Sequence, residues 1–201
     1  SISLPSEIGG GGMPIALSGG TLEILSSANL AFGLAPGLSA GAISAINFHG
    51  SEEQKEKFLP KLVSGEWTGT MNLSEPQSGS DLGTITTKAE PQDDGTYKIT
   101  GTKVWITFGE HDMTDNIIHL VLAKVPGSPE GTKGISMFIV PKMMVNEDGS
   151  SGESNNVTCI SIEEKLGIHA SPTCVMEYNE SVGYLVGEEN RGLNYMFTMM
   201  N

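Results

Sequence analysis

The chain has 201 residues, of which 38% are hydrophobic and 26 are glycine, a composition that suits one large loop-rich domain or parts of two. Its formal net charge of −13 argues against binding nucleic acid or an anionic membrane surface, since both require a basic face on the protein. No signal peptide is visible and no uninterrupted apolar run approaches the roughly 20 residues of a membrane span, so the sequence predicts a cytoplasmic protein.

The first 66 residues have the character of packed helices. A run of four glycines ends at Gly12, but no Gly-Lys-Ser/Thr segment follows it, so a phosphate-binding P-loop is excluded. Apolar residues mixed with Ser and Gly predict one helix from Pro14 to Leu34. A second helix, from about Gly37 to His49, carries apolar residues along one face. Gly50 is placed to end that second helix in a left-handed conformation.

A third helix begins at a strong local signal. Ser51 is followed three residues later by Gln54, the pattern of a capping box in which each side chain bonds the other residue's backbone N–H. Apolar residues then continue the helix to Gly65. The charged residues on it are interpreted as a solvated face, and they are Glu52, Glu53, Lys55 and Glu56.

The chain then changes to short strands and a turn that is rich in hydroxyl groups. The segment Trp67–Thr70 reads as the start of a strand, which a proline and a glycine interrupt. The turn brings together the hydroxyls of Ser74, Ser78 and Ser80, and Gly79 lets a ligand approach the backbone because it has no Cβ. Such a turn can hold a phosphate or the edge of a heterocyclic ring, but an ordinary Ser/Pro/Gly turn has the same composition.

The segments that follow predict a barrel or sandwich of mainly antiparallel strands. β-Branched residues mark Thr84–Ala89, Asp94-Gly95 is a hairpin signal, and Ile117–Val125 is apolar enough for a fully buried strand. Three further strands are predicted at Gly134–Val140, Val157–Ile162 and Thr173–Tyr178.

Two other segments complete the predicted architecture. The polar stretch Asn146–Asn155 has no core residues and is expected to be a solvated loop. A glycine-containing turn near the end leads into a helix predicted from Leu193 to Asn201. Helices followed by a block of strands give an α+β fold.

One strand and the hydroxyl-rich turn together indicate a family. The strand Gly101–Thr107 contains the order Lys-x-Trp-Ile-Thr. With the turn, it resembles the flavin-binding middle domain of the acyl-CoA dehydrogenases, where the turn has the form Thr/Ser-Glu-Pro-x-x-Gly-Ser-Asp. The resemblance runs along nearly the whole chain. It implies that residues 1–66 end an N-terminal helical domain, residues 67–186 form the middle β-barrel domain, and residues 187–201 begin a C-terminal helical domain.

Carried over residue by residue, the resemblance implies an FAD site on these two segments. Trp105 would pack on the isoalloxazine ring, and Thr107 would bond a ring atom from the same face of the strand, because side chains alternate. A core tryptophan and simple β-propensity are the structural alternatives. Gly79 and Ser80 would lie at the pyrophosphate, and Ser80 would also lie near the acyl-CoA. The implied cofactor residues are Met71, Leu73, Ser74, Gly79, Ser80, Trp105, Ile106 and Thr107.

The resemblance also implies an activity: flavin-dependent oxidation of an acyl-CoA thioester to its 2-enoyl form, as in fatty acid metabolism. An acceptor such as electron-transfer flavoprotein and a homo-oligomeric complete protein are implied with it. No catalytic residue is assigned within the chain, since the family's base would lie beyond Asn201. Glu75 and Asp81 are interpreted as stabilising the turn by local hydrogen bonds. The alternative is a non-catalytic β-rich binding module that keeps the fold without flavin.

Histidine and cysteine residues add little to this site. His169 stands where the family usually has Arg. In this respect the sequence resembles the 3-methylmercaptopropionyl-CoA dehydrogenase-like branch, and the identity of the substrate's acyl chain is left undetermined. The four histidines lack the short spacing of metal ligands, so no metal site is predicted. Cys159 and Cys174 are interpreted as small buried hydrophobic residues rather than as a disulfide or a redox pair.

Overall fold

The structure is a computed structural model that describes residues 2–200, with helices at both ends of a β-domain. The helices are α1 (Ile15–His49), α2 (Glu52–Ser64) and α3 (Gly192–Phe197). The strands are β1 (Trp67–Asn72), β2 (Lys88–Pro91), β3 (Tyr97–Thr107), β4 (Asn116–Lys124), β5 (Ile135–Pro141), β6 (Met143–Val145), β7 (Ser151–Ser154), β8 (Val157–Ile162) and β9 (Thr173–Leu185). The predicted α+β fold is confirmed.

Five of the strands close into a barrel. Around it, β4, β2, β3, β9 and β5 are hydrogen-bonded in that order, and β5 returns to β4. β1 lies parallel beside β4, and β8 lies antiparallel beside β9. The contacts of β4 with β1 and β2 are parallel, and the other pairings in the described part of the chain are antiparallel. The barrel therefore has the mainly antiparallel order that the sequence predicts.

The first helix breaks at a different place from the one predicted. α1 continues through Pro36, and the residue with non-helical backbone is Asn29, at φ −159° and ψ 96°. The side chain of Asn29 accepts a hydrogen bond from the N–H of Phe32 at 3.1 Å, so it caps the second part of the helix. The predicted break at residues 35–36 was wrong because this asparagine restarts the helix before the proline is reached.

The residue after α1 also differs from its prediction. Gly50 is extended, at φ −72° and ψ 155°, rather than left-handed. Its N–H donates to the carbonyl of Ile46 at 2.8 Å, and a Cβ here would lie 2.6 Å from that same oxygen. Glycine is needed for this close approach and not for a positive φ. The extended backbone leads directly into Ser51, which forms the predicted capping box with Gln54.

The sequence signals for one hairpin and one buried strand are confirmed, but another strand begins later in the chain than predicted. The turn at Asp94-Gly95 joins β2 to β3, and Ile117–Val125 falls largely in the buried strand β4. The prediction of a strand over Thr84–Ala89 was wrong at its start, because β2 begins only at Lys88. The N–H groups of Thr86 and Thr87 donate to the Glu75 carboxylate, so they cannot take part in a strand ladder.

Two predictions on polar and terminal segments also need correction. The expected loop Asn146–Asn155 contains part of a hairpin, since β6 and β7 pair antiparallel and the N–H of Asn146 donates to the carbonyl of Ser150 at 3.0 Å. The last helix, α3, stops at Phe197, after which backbone bonds tighten to the i→i−3 pattern. Asn201, its predicted end, lies outside the described residues.

By length and composition alone, α1 could cross a membrane, although polar residues interrupt its apolar runs. Its second part, however, packs against the β-domain, where Ala42, Ile43, Ala45 and Ile46 are buried in the main core cluster. The backbone at Asn29 also interrupts the helix. These contacts are those of a core helix.

α1 lies directly on β1 at Gly69. The N–H of Gly69 donates to Oγ of Ser39 at 3.0 Å, and a Cβ on Gly69 would lie 2.4 Å from the Cβ of Ala42. We expect Gly69→Ala to lower the free energy of unfolding by about 1–3 kcal/mol, because the added methyl group overpacks this contact. Gly19→Ala is the control, since that site in α1 is open and alanine favours a helix. Equal stability of both variants in urea unfolding would contradict the close contact.

A chain of buried polar side chains inside the barrel ties β1 to β4 and β9. His119 Nδ1 lies 2.7 Å from Thr70 Oγ1, Asn72 Nδ2 donates to Thr70 Oγ1 at 2.8 Å, and the Tyr178 hydroxyl donates to Asn72 Oδ1 at 2.9 Å. Burial lowers the pKa of His119 to about 3, so the imidazole is neutral near pH 7. This network fixes the strand that leads into the hydroxyl-rich turn.

Candidate functional site

The hydroxyl-rich turn and β3 lie against each other. The N–H of Val104 donates to the carbonyl of Ser74 at 2.9 Å. The indole of Trp105 covers Gly79, so that a Cβ on this glycine would lie 3.3 Å from Cζ3 of the ring. Glycine allows the turn and the ring to approach closely. The two segments that the sequence singles out therefore form one surface.

A β-bulge directs Trp105 to this surface. β3 pairs with β9 at Lys103–Met176 and next at Ile106–Cys174, so two residues of β3 face one residue of β9. Trp105 lies in the bulge with φ 61°, and its side chain is 55% exposed. A left-handed backbone is uncommon for a bulky residue, and such outliers cluster at ligand sites. The exposed ring excludes the alternative of a buried core tryptophan.

Several polar groups of the turn and of β3 make no hydrogen bond within the described residues. Among the described residues, the hydroxyls of Ser74, Ser80 and Thr107 make no hydrogen bond, whereas the hydroxyl of Ser78 is used within the turn. The N–H groups of Gly79 and Ser80 are likewise unbonded within the described residues. These hydroxyl and N–H groups are available to a ligand with polar or anionic edges.

The other predicted residues contribute in different ways. Met71 and Leu73 are half-buried and pack against the core, so each presents part of an apolar side chain. Ile106 is buried, which leaves its backbone as the available contact. A cavity of about 510 Å³ lies beside Trp105 and the loop 163–168. The site thus has open space next to the ring, and charged as well as apolar residues of that loop line it.

A buried ion pair beneath the turn was missed by the sequence analysis. Lys103 Nζ donates to Glu75 Oε1 at 2.9 Å, and the two side chains are 0% and 2% exposed. The same Nζ donates to the carbonyl of Leu73 at 2.9 Å. The carboxylate also accepts from the N–H and hydroxyl groups of Thr86 and Thr87, at 2.6–3.1 Å. The pair therefore connects the turn to β3 and to the segment before β2.

Both members of this pair are charged near neutral pH. Burial acts to raise the pKa of the Glu75 carboxyl, but the Lys103 ammonium and the neighbouring hydrogen-bond donors outweigh it and lower the pKa to about 2. Burial lowers the pKa of Lys103 to about 8, against the attraction of the carboxylate. A carboxylate in this state is a poor general base, because catalytic bases have a pKa near the working pH.

The sequence contained a signal for this pair. Ile99 faces the core, and alternation along the strand directs Lys103 inward as well. A buried ammonium needs a carboxylate partner. Local hydrogen bonding, predicted for both acidic residues of the turn, is correct for Asp81, which accepts from the N–H of Gly83 at 2.9 Å. It was incomplete for Glu75, whose partners are distant in sequence.

The histidine and cysteine residues considered in the sequence are placed as follows. His169 is exposed, so it is not a buried core residue. Within residues 2–200, no group of three His, Cys, Asp or Glu side chains is arranged to hold a metal ion. Cys174 is buried as predicted, whereas Cys159 is only half-buried, and both thiols are free.

Comparison with known proteins gives matches along the whole chain. The model of the acyl-CoA dehydrogenase N-terminal domain matches residues 1–66, and the model of the middle domain matches residues 70–181. The 3-methylmercaptopropionyl-CoA dehydrogenase of Ruegeria pomeroyi is 55% identical over 200 residues, covering 100% of this chain and 34% of that protein. A butyryl-CoA dehydrogenase of Syntrophomonas wolfei is 46% identical, with 95% of this chain and 33% of that protein covered.

A solved structure shares the fold. The acyl-CoA dehydrogenase of Bacillus anthracis, crystallised with FAD, superimposes with a TM-score of 0.81 at 30% identity, covering 100% of this chain and 32% of that chain. The chain therefore spans about one third of the length of these relatives.

Proposed function

The chain belongs to the acyl-CoA dehydrogenase family, and from that premise we propose that it forms the flavin- and thioester-binding part of an FAD-dependent acyl-CoA dehydrogenase. The observation that carries the proposal is the surface around Trp105. There, hydroxyls of Ser74, Ser80 and Thr107 and the N–H of Gly79 are unbonded within the described residues. Convergent polar groups beside an exposed aromatic ring suit the ring edge and the phosphates of a dinucleotide.

In this proposal, the residues of the chain bind and orient, and FAD, when bound, supplies the redox chemistry by accepting a hydride from the β-carbon of the thioester. Trp105 offers a flat apolar wall for the ring system. Thr107 and Ser74 offer hydroxyls to its polar edge. Gly79 and Ser80 offer N–H groups to the pyrophosphate, and the Ser80 hydroxyl is the proposed contact to the acyl-CoA.

The base that takes the α-proton is proposed to come from another part of the complete protein. A general base must reach the proton at hydrogen-bond distance and needs a pKa near the working pH. Glu75 meets neither condition, because it is buried, paired with Lys103 and has its pKa lowered to about 2. The Asp81 carboxylate bonds the N–H of Gly83. These observations support assigning no catalytic residue to this chain.

We also propose a short acyl chain for the substrate and a 2-enoyl thioester for the product. The names of the two curated relatives, which specify 3-methylmercaptopropionyl-CoA and butyryl-CoA, support this size class. Electron-transfer flavoprotein is the proposed acceptor, and the complete protein is proposed to be a cytoplasmic homo-oligomer. Family membership supports the acceptor and the homo-oligomer, and the cytoplasmic location is carried over from the sequence prediction.

The test uses the complete protein that carries this chain. Anaerobic addition of butyryl-CoA or 3-methylmercaptopropionyl-CoA should bleach the visible flavin absorbance and give the 2-enoyl thioester, with butyrate as a control that lacks the thioester. A flavoprotein that neither thioester reduces would contradict the proposed activity. A colourless protein that releases no flavin on denaturation would instead support the non-catalytic binding module.

We expect Trp105→Ala to weaken FAD binding by about 1–3 kcal/mol, the scale of a lost aromatic contact with its buried area. The measurement is the FAD retained by the complete protein through serial dilution. Phe48→Ala is the matched control, since Phe48 is an exposed aromatic residue at the far end of α1, 71% exposed, and should retain FAD. Unchanged FAD retention in a folded Trp105→Ala protein would mean that the indole does not contact the cofactor.

A further inference from the structure

We propose that the Glu75–Lys103 ion pair is a positioning lock, which holds the hydroxyl-rich turn at the distance from Trp105 that flavin binding requires. This inference rests on the proposed function. It assigns a role to two residues whose side chains are buried beneath the turn and that act through the backbone of the residues they bond.

The lock works on three consecutive residues. Lys103 Nζ bonds the carbonyl of Leu73 and the carboxylate of Glu75, both at 2.9 Å. Between these two residues, the carbonyl of Ser74 accepts the N–H of Val104 at 2.9 Å. Residues 73 to 75 are thus each bonded to residue 103 or 104 of β3, and the next residue of β3 is Trp105. The backbone of Ser74, which carries the hydroxyl, is therefore held at a fixed position relative to Trp105.

The same pair sets the far side of the turn. Backbone bonds at 2.9 Å in both directions close Glu75 onto Ser78, and Gly79 follows under the ring. From the other direction, the Thr86 and Thr87 donors hold the carboxylate in place. The carboxylate therefore fixes where Gly79 lies, and with it the unbonded N–H groups proposed for the pyrophosphate.

The chemistry of the pair suits positioning better than bulk stability. A buried ion pair contributes little net stability over apolar residues of similar volume, because desolvation offsets the Coulombic attraction. Charge-assisted hydrogen bonds are short and directional, so they define a distance that apolar packing would leave adjustable. Arginine would keep the charge, but its planar fork cannot reproduce the point contacts that the ammonium makes with Leu73 and Glu75.

The test compares Lys103→Met and Lys103→Arg in the complete protein with Gly69→Ala, a variant expected to lose stability where β1 contacts Ser39 and Ala42 of α1. We expect both Lys103 variants to bind FAD at least about tenfold more weakly, the scale of a lost charge-assisted hydrogen bond. The visible spectrum of FAD-saturated protein, recorded well below the unfolding temperature, should also shift. Gly69→Ala should keep the wild-type affinity and spectrum, because the added methyl group meets α1 and none of the bonds that hold residues 73 to 75.

A second measurement needs no flavin. Amide exchange at Val104, whose N–H bonds the Ser74 carbonyl, should be at least about tenfold faster in Lys103→Met and Lys103→Arg than in the wild type, and unchanged in Gly69→Ala. Wild-type exchange at Val104 in both Lys103 variants would overturn the lock whether or not FAD binds. A wild-type protein without FAD would overturn the proposed function. Equal loss of FAD in Gly69→Ala would overturn the lock, because FAD binding would then weaken with any loss of stability.

Discussion

Replacing Lys103 by Met is expected to lower the free energy of unfolding by about 3–5 kcal/mol, because it leaves the buried Glu75 carboxylate without its counter-charge. The measurement is urea unfolding of the complete protein freed of flavin, so that cofactor affinity does not contribute. Lys55→Met is the matched control. Its ion pair with Glu52 is also short, at 2.7 Å, but Glu52 is 83% exposed, so the loss should stay below about 1 kcal/mol.

The pH dependence of this difference follows from the Glu75 carboxyl. Its pKa in the folded protein, about 2, lies below its ordinary value of 4.5, so the stabilisation is fully present above about pH 4.5 and is lost as the pH falls toward 2. The gap between wild type and Lys103→Met should therefore narrow in acid. Equal losses in Lys103→Met and Lys55→Met, or a gap that widens in acid, would contradict a buried pair.

The second large effect is the absence of turnover by the 201-residue chain on its own. Of the two carboxylates of the turn, Glu75 is held by Lys103 and the threonine donors, and Asp81 accepts the N–H of Gly83 with one oxygen. In the proposed function the base lies in another part of the complete protein, so the chain alone should not reduce an artificial electron acceptor with any acyl-CoA, while the complete protein should do so under the same conditions. Weak or no flavin binding by the isolated chain is expected as well.

One result would contradict both the missing base and the structural role of Glu75. It is turnover by the isolated chain that disappears in Glu75→Gln while the variant stays folded. Each carboxylate oxygen of Glu75 accepts three hydrogen bonds, so the amide nitrogen of Gln would face donors, and the folded state must be checked separately by circular dichroism.

The elements that the sequence predicts well are those fixed by neighbours along the chain. The capping box of Ser51 and Gln54, the Asp94-Gly95 hairpin and the buried strand Ile117–Val125 each depend on a few adjacent residues. Where a tertiary contact competes, local patterns fail. Thr86 and Thr87 look like strand residues, but their N–H groups bond the Glu75 carboxylate, which lies 11 and 12 positions earlier.

The candidate site shows the same division. The resemblance pointed to the turn and to Trp105, and the structure brings Gly79 under that ring. The bulge that turns Trp105 outward, with its left-handed φ, depends on register against β9, which no local pattern in β3 encodes. The ion pair of Glu75 with Lys103 joins residues 28 positions apart, so periodicity could place the lysine inward without naming its partner.

We propose that the turn and Trp105 together hold FAD, and the flavin content of the complete protein tests this most directly. The protein is purified without added flavin, denatured, and the released cofactor is identified and quantified against the protein concentration. We expect FAD, approaching one per chain, with visible flavin absorbance before denaturation. Folded protein that releases no flavin, and that takes up none when incubated with excess FAD, would contradict it.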